Sequence, residues 1–344
     1  MICFSQIQII ITCALLDPTY PVYEEEMVVN LVKGTIFLSP TVLGILGNVF
    51  VFVNYMLILG GSEKKSIHFI LLHLAFTNII MLFAKRIPKT LAAFGQKIFL
   101  DDTGCKTVVY LERVARGLSI CTSALLTVVQ AITISPTDSV WRRLKLKTPQ
   151  HTLLIFVFFW ILNSLISMNL PFSIININSV NISQISKGDK YCHFLPESWT
   201  TRWTFLTLMV LRDAVFQCTM GGASVYLVFV LHKHHQRVLH LQQAKLLYKT
   251  PPEIQAAQSV LLLMLCFLFF YWADCAFSLF LSSSLNLHSM ILNIQEFLTL
   301  GYAILSPFVL IHRDGQLSGC LHSQEDRKMH RNYLTDLFFL LSCM

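Results

Sequence analysis

The sequence predicts an all-α integral membrane protein, a bundle of seven transmembrane helices with its N-terminus extracellular and its C-terminus cytoplasmic. Three observations predict this class. Of the 344 residues 54% are hydrophobic and 13% charged, where a soluble domain carries about 25% charged residues. The apolar residues gather into runs long enough, at ~20 residues, to cross a hydrocarbon core as helices. The segments between those runs are basic on one side far more than on the other, as the positive-inside rule requires.

In chain order, residues 1–32 form an extracellular segment, residues 33–312 the seven-helix domain and residues 313–344 a cytoplasmic tail. The first 16 residues are apolar, but no basic residue precedes them, so a cleaved signal peptide is not expected. Asp17, Glu24, Glu25 and Glu26 make the following stretch acidic, and Met27 is an alternative start. The first span, 33–59, holds Gly44, Gly47 and Asn48: small residues for close helix approach and an amide to bond a neighbour. The second, 67–94, carries His73 and Asn78 and ends in Lys85, Arg86 and Lys89. Two readings of that basic trio stand side by side, snorkelling to the interface and a positive rim on a ligand cavity.

The third span, 104–131, organises the rest. The fourth, 151–174, carries Trp160 and ends at Pro171; a loop with Asn181, the sole N-x-S/T sequon, and Cys192 follows. The fifth, 203–231, contains Arg212 and Asp213; the sixth, 257–281, contains Asp274; the seventh, 289–311, contains Glu296 and Ser306-Pro307. The tail holds Cys320, a candidate for palmitoylation, and closes on LFFLLSCM, apolar but too short to span.

Orientation comes from the loops. Lys64 and Lys65 follow span one, Arg142, Arg143, Lys145 and Lys147 follow span three, and Lys233, Arg237, Lys245 and Lys249 follow span five. The opposite side has no Lys or Arg in residues 1–30 and then only Lys97, Lys187, Lys190 and Arg202. The basic side is cytoplasmic. Asn181, Cys105 and Cys192 then face outward, where glycosylation and disulfide formation occur.

Charge and cysteine usage exclude other classes. The net charge of +7 is spread through short loops rather than gathered into a patch, so no nucleic-acid partner is expected. The ten cysteines show no C-x-x-C spacing, so no metal or cofactor site is expected. His232, His234 and His235 belong to a solvated basic segment at the membrane surface.

Span three carries Glu112, Arg113 and Arg116 in its first half. A charge at membrane depth costs at least ~2.5–3.5 kcal/mol, so these should face protein or a wet cavity. Glu112 and Arg116, four residues apart, share a face and can pair. They are the first candidates for ligand contact, with Arg113 on an adjacent face and Arg212, Asp213, Asp274 and Glu296 from later spans. The alternative is a buried polar network that only holds the bundle together.

Finer motifs add a resemblance. GILGN at 44–48, RIPKTLAAFG at 86–95, FLDDTGCK at 99–106, RVARGLSI at 113–120, QAITISP at 130–136, VLHKHHQRV at 230–238 and SPFVLIHRD at 306–314 closely resemble vomeronasal type-1 receptors. The match runs in order over residues 33–314. The resemblance implies a rhodopsin-like, G-protein-coupled chemosensory receptor of the plasma membrane. Such a receptor takes a small pheromone or odorant in the outer half of the bundle and signals through an inhibitory-class heterotrimeric G protein. It implies a disulfide between Cys105 and Cys192, and a G-protein-facing surface including Thr133, Ser135, Pro136, Arg142, Arg143, Lys233 and Arg237. AITISP stands where most rhodopsin-like receptors carry Asp-Arg-Tyr, and Ser306-Pro307 where most carry Asn-Pro.

Rival readings leave weaker marks. Neither H-E-x-x-H nor G-x-S-x-G is present, against an enzyme. No internal repeat points to a small-solute transporter. A non-functional receptor-gene relic is the remaining alternative.

Overall fold

The computed structural model describes residues 22–60, 66–93, 102–135, 149–176, 192–194, 199–242, 252–283 and 297–312. They form helices α1 (Val22–Gly60), α2 (Ser66–Ala93), α3 (Asp102–Ile134), α4 (Pro149–Ile166), α5 (Leu170–Ser173), α6 (Trp199–Gln242) and α7 (Pro252–Ser283), and α8 (Phe297–His312). Strands β1 (Ile174–Asn176) and β2 (Cys192–Phe194) pair antiparallel, with Asn176 opposite Cys192. Among the described residues six helices are long and apolar enough to cross a membrane, and α8 is a shorter apolar helix. With α8, each of the seven expected spans contains a described helix.

Four boundaries differ from expectation. Helix α1 begins at Val22, well before residue 33. Helix α6 runs to Gln242, so Lys233 and Arg237 lie on a helix and not in a loop. The stretch HKHHQRVLHLQ contains neither Gly nor Pro, so nothing in it stops the helix. Helix α7 restarts at Pro252, whose missing N–H is not needed at a first helical position. The fourth span is broken, with α4 ending at Ile166 and a tight turn preceding α5. Pro171 explains this: it has no N–H to donate, and its ring clashes with the carbonyl four residues back, at Ser167. The chain tightens there into i→i+3 bonds, Met168 N–H to Leu165 O at 3.4 Å and Leu170 N–H to Ser167 O at 3.2 Å.

Helix α3 is the axis of the bundle. Of its most apolar stretch 78% is buried, against 22–50% in the other spans, and it packs on α2, α4, α6, α7 and β1. Leu71, Leu74, Leu118, Cys121, Met220 and Leu227 are fully buried around it. Leu57, Leu154, Val225, Phe229, Phe269 and Trp272 point outward, the face a bilayer would cover.

Small residues set the closest approach. A Cβ at Gly47 would sit 2.9 Å from Pro307 Cγ, and one at Gly44 would sit 3.1 Å from Ile304 and Leu82 side-chain atoms. Glycine at these two positions lets α1 lie against α8. The expected neighbour of Asn48 is also found there: its Nδ2 donates to Ala303 O at 2.8 Å.

Candidate ligand site

Arg116 projects from the middle of α3 toward α7, and its Nη2 donates to Asp274 Oδ2 at 2.6 Å. Thr299 Oγ1, from α8, donates to the other carboxylate oxygen at 2.8 Å. The Asp274 side chain is 6% exposed, whereas that of Arg116 keeps 30% exposure. The carboxylate is therefore held between two helices while the guanidinium opens onto space. That space is a small, partly open cavity. Met81, Ile120, Phe267, Phe270 and Leu298 give it apolar walls; Ser119, Tyr271, Thr299 and Tyr302 stand among them beside the ion pair.

The expected pairing of Glu112 with Arg116 does not occur. Glu112 Oε1 takes Lys85 Nζ of α2 at 3.0 Å, and Arg116 takes Asp274. Residues four apart on one helix reach each other only when nothing better faces them; here each charge meets an opposite charge on a neighbouring helix. Lys85 is thus an interhelical partner, and Arg86 is 1% exposed, so neither snorkels. The Lys89 side chain lies outside the described residues.

Arg212 and Asp213, neighbours on α6, form a second ionic group. Arg212 Nε donates to Asp213 Oδ1 at 2.8 Å and its Nη1 to Asn163 Oδ1 of α4 at 2.9 Å. Tyr271 Oη donates to Asp213 Oδ2 at 3.1 Å, which ties this group to the cavity wall. Gly117 makes room for it, since a Cβ there would collide with Asn163 Oδ1 and Arg212 Nη1. Arg113 Nη1 donates to Met209 Sδ of α6 at 3.2 Å.

Beneath the cavity the polar groups are neutral. Ser119 Oγ donates to Asn78 Oδ1 at 3.2 Å. Asn78 Nδ2 donates to Ser306 Oγ at 2.9 Å and to Asn48 Oδ1 at 3.3 Å. Four helices, α1, α2, α3 and α8, meet through this cluster. On another flank Trp160 Nε1 donates to His73 Nε2 at 3.1 Å, so His73 Nδ1 carries the proton and donates to Thr122 Oγ1 at 3.0 Å. The imidazole also stacks on Phe156, with centroids 4.1 Å apart. His73 is thereby a fixed strut between α2, α3 and α4.

At the end of the bundle opposite Cys105, Thr133 is exposed, and its hydroxyl bonds back to Val129 O at 2.7 Å. Ser135 instead turns inward, 4% exposed, with its Oγ 3.0 Å from Tyr226 Oη of α6. Lys233 is exposed. Pro136, Arg142, Arg143, Asn181 and Glu296 lie outside the described residues, as does the side chain of Arg237. Cys105 is buried and disulfide-bonded; the Cys192 side chain lies outside the described residues, although its backbone sits in β2.

Of the candidates drawn from the sequence, the structure brings Arg116 and Asp274 to the cavity and places Arg212 and Asp213 behind it through Tyr271. Glu112 and Arg113 border neighbouring helices and are not among the cavity-lining residues. Asn163, Gly117, Tyr271, Tyr302 and Thr299 were not anticipated. Asn163 alone offered a signal, an amide inside an apolar run.

A family model described as "Vomeronasal organ pheromone receptor family" matches residues 31–323. The chain is 34% identical over 279 residues to Vomeronasal type-1 receptor 4 of Homo sapiens, covering 80% of this chain and 92% of that protein. It is 28% identical to Olfactory receptor class A-like protein 1 of Danio rerio, covering 86% and 95% of the two chains. The crystal structure of squid rhodopsin superposes with a TM-score of 0.65 at 14% identity, over 92% of this chain and 90% of that one.

Proposed function

This chain belongs to the vomeronasal organ pheromone receptor family, and on that premise we propose that its cavity at Arg116 and Asp274 receives a small pheromone or odorant. It is a multi-pass plasma-membrane receptor with the fold of rhodopsin, and its family is one of receptors and not of enzymes. A receptor of this kind has a ligand, a heterotrimeric G protein and the bilayer as its partners.

In the reading proposed, the Cys105 end of the bundle is extracellular and the Ser135 end cytoplasmic. A Cys105–Cys192 disulfide ties β2 to the mouth of the bundle, and Asn181 carries a glycan. The observation that carries the site is the Arg116–Asp274 pair, because it joins two helices and lies open to the cavity on its Arg116 side. A ligand that competes for either charge loosens α3 from α7. Ser119 lines the cavity and bonds Asn78, so a shift of α3 also reaches the neutral cluster below. The coupling partner is a G protein of the inhibitory class, engaged at the end bearing Thr133, Lys233 and the basic segment after α3. A ligand drives such a change only by preferring the shifted state.

The test is nucleotide exchange on a co-expressed inhibitory-class G protein. Surface-confirmed receptor is challenged with fractionated urine and volatile odorants beside Arg116→Ala at matched surface level. A response that disappears in Arg116→Ala is expected. A response of equal potency in the variant overturns the site; silence from well-displayed wild type across the panel overturns the ligand class.

A further inference from the structure

We propose that the ligand is an uncharged alcohol whose hydroxyl lies between Arg116 and Tyr271, an inference that rests on the ligand-cavity reading above. Both residues line the cavity. Tyr271 precedes Asp274 by three residues on α7, so the two are neighbours on one helix face. Arg116 reaches that face through its 2.6 Å bond to Asp274. One small group in the cavity therefore meets both side chains.

The two side chains offer opposite halves of a hydrogen bond. A guanidinium has five N–H donors and no acceptor. Among the described residues that of Arg116 makes one hydrogen bond, from Nη2 to Asp274, and 30% of the side chain is exposed. Donors therefore remain for a ligand. Tyr271 is the acceptor. Its proton goes to Asp213 Oδ2 at 3.1 Å, which leaves the lone pairs of Oη for any further partner. The Cys275 thiol also interacts with this hydroxyl, but sulfur is a weak acceptor and does not take the proton from a carboxylate.

Head classes differ in how they meet this pair. An alcohol accepts from Arg116 and donates to Tyr271. An ether accepts from Arg116 but sets its own lone pairs against those of Tyr271. A carboxylate does the same and adds negative charge beside Asp274, which already pairs with Arg116. An ammonium has nothing for Arg116 to donate to and is repelled by it. Size points the same way, because the enclosed space is about 30 Å³, room for roughly two water-sized groups. A hydroxyl fits there, with the adjoining carbons against Ile120, Phe267 and Phe270 and the rest of the ligand leaving through the open side. The partial negative charge of its oxygen draws the guanidinium from Asp274 while keeping both charges matched.

The test uses 1-octanol, methyl octyl ether, octanoate and octylamine as probes on purified full-length receptor in phosphatidylcholine nanodiscs, with binding read from saturable shifts in melting temperature. 1-Octanol is expected to bind roughly tenfold tighter than each other probe, as a site built to bond a hydroxyl rejects analogues lacking one. Tyr271→Phe is expected to bring 1-octanol and the ether to equal affinity. A merely structural Tyr271 would weaken both alike and leave their ratio unchanged, which overturns the assignment. If Tyr271→Phe fails to fold, the order of the four probes on wild type decides. Any other probe binding as tightly as 1-octanol overturns the alcohol; where Arg116→Ala removes that binding, the cavity reading stands without it. Absence of saturable 1-octanol binding also overturns the alcohol, and the exchange assay above then judges the receptor reading separately.

Discussion

Two polar clusters share α3, separated by a single helical turn, and they are built from opposite chemistries. At Arg116 the groups are ionised and partly open, with 30% exposure on the guanidinium. At Ser119 the partners are amides and hydroxyls, and Asn48, Asn78, Ser119 and Ser306 are each at most 2% exposed. An ion pair beside a cavity can exchange a partner for a ligand group, because the incoming charge replaces the one released. A buried neutral cluster has no such replacement at hand, and any opening leaves buried amides without partners. The charged region is therefore suited to recognition and the neutral one to holding four helices in register.

Substitutions that break this contrast should rank in size. Asp274→Ala removes the carboxylate that Arg116 hydrogen-bonds and should cost about 3 kcal/mol of stability, the low end for a broken pair because the guanidinium is partly exposed. Thermal melting of purified receptor reads it, and Asp274→Ala with Arg116→Ala should recover part of the loss. Full additivity of the two single variants would contradict the pairing.

Gly117→Ala comes next. Its Cβ collides with Asn163 and Arg212, and overpacking of this kind costs about 2 kcal/mol. Reduced surface display and a lower melting temperature are expected, and recovery on adding Asn163→Ala would localise the clash. Asn78→Leu removes the hub of the neutral cluster and should cost about 1 kcal/mol, since interhelical bonds in membranes are individually modest. Its melting temperature should fall without a change in ligand potency. Smallest is Ser135→Ala, which removes one contact to Tyr226. A loss of ~0.6 kcal/mol with a modest rise in basal nucleotide exchange is expected, because that bond ties α3 to α6.

The sequence made the spans legible because twenty-residue apolar runs and one-sided Lys and Arg are local signals. It also marked Arg116, Asp274, Arg212 and Asp213, since charges in apolar runs stand out singly. It could not mark their partners. Glu112 and Arg116 look like a pair by spacing alone, yet Lys85 and Asp274, 27 and 158 residues away, face them across helix interfaces. Gly117 carries no local sign of its role, which exists only because Asn163 and Arg212 converge on it from two other helices. The length of α6 was misjudged for the converse reason: a polar helix continues beyond the point where hydropathy falls.

The most direct test of the contrast compares concentration–response curves for one active ligand on wild type, Arg116→Gln and Asn78→Leu at matched surface density. The account predicts at least a tenfold loss of potency in Arg116→Gln and a potency within threefold of wild type in Asn78→Leu. Unchanged potency in Arg116→Gln, or a larger shift in Asn78→Leu than in Arg116→Gln, would contradict it.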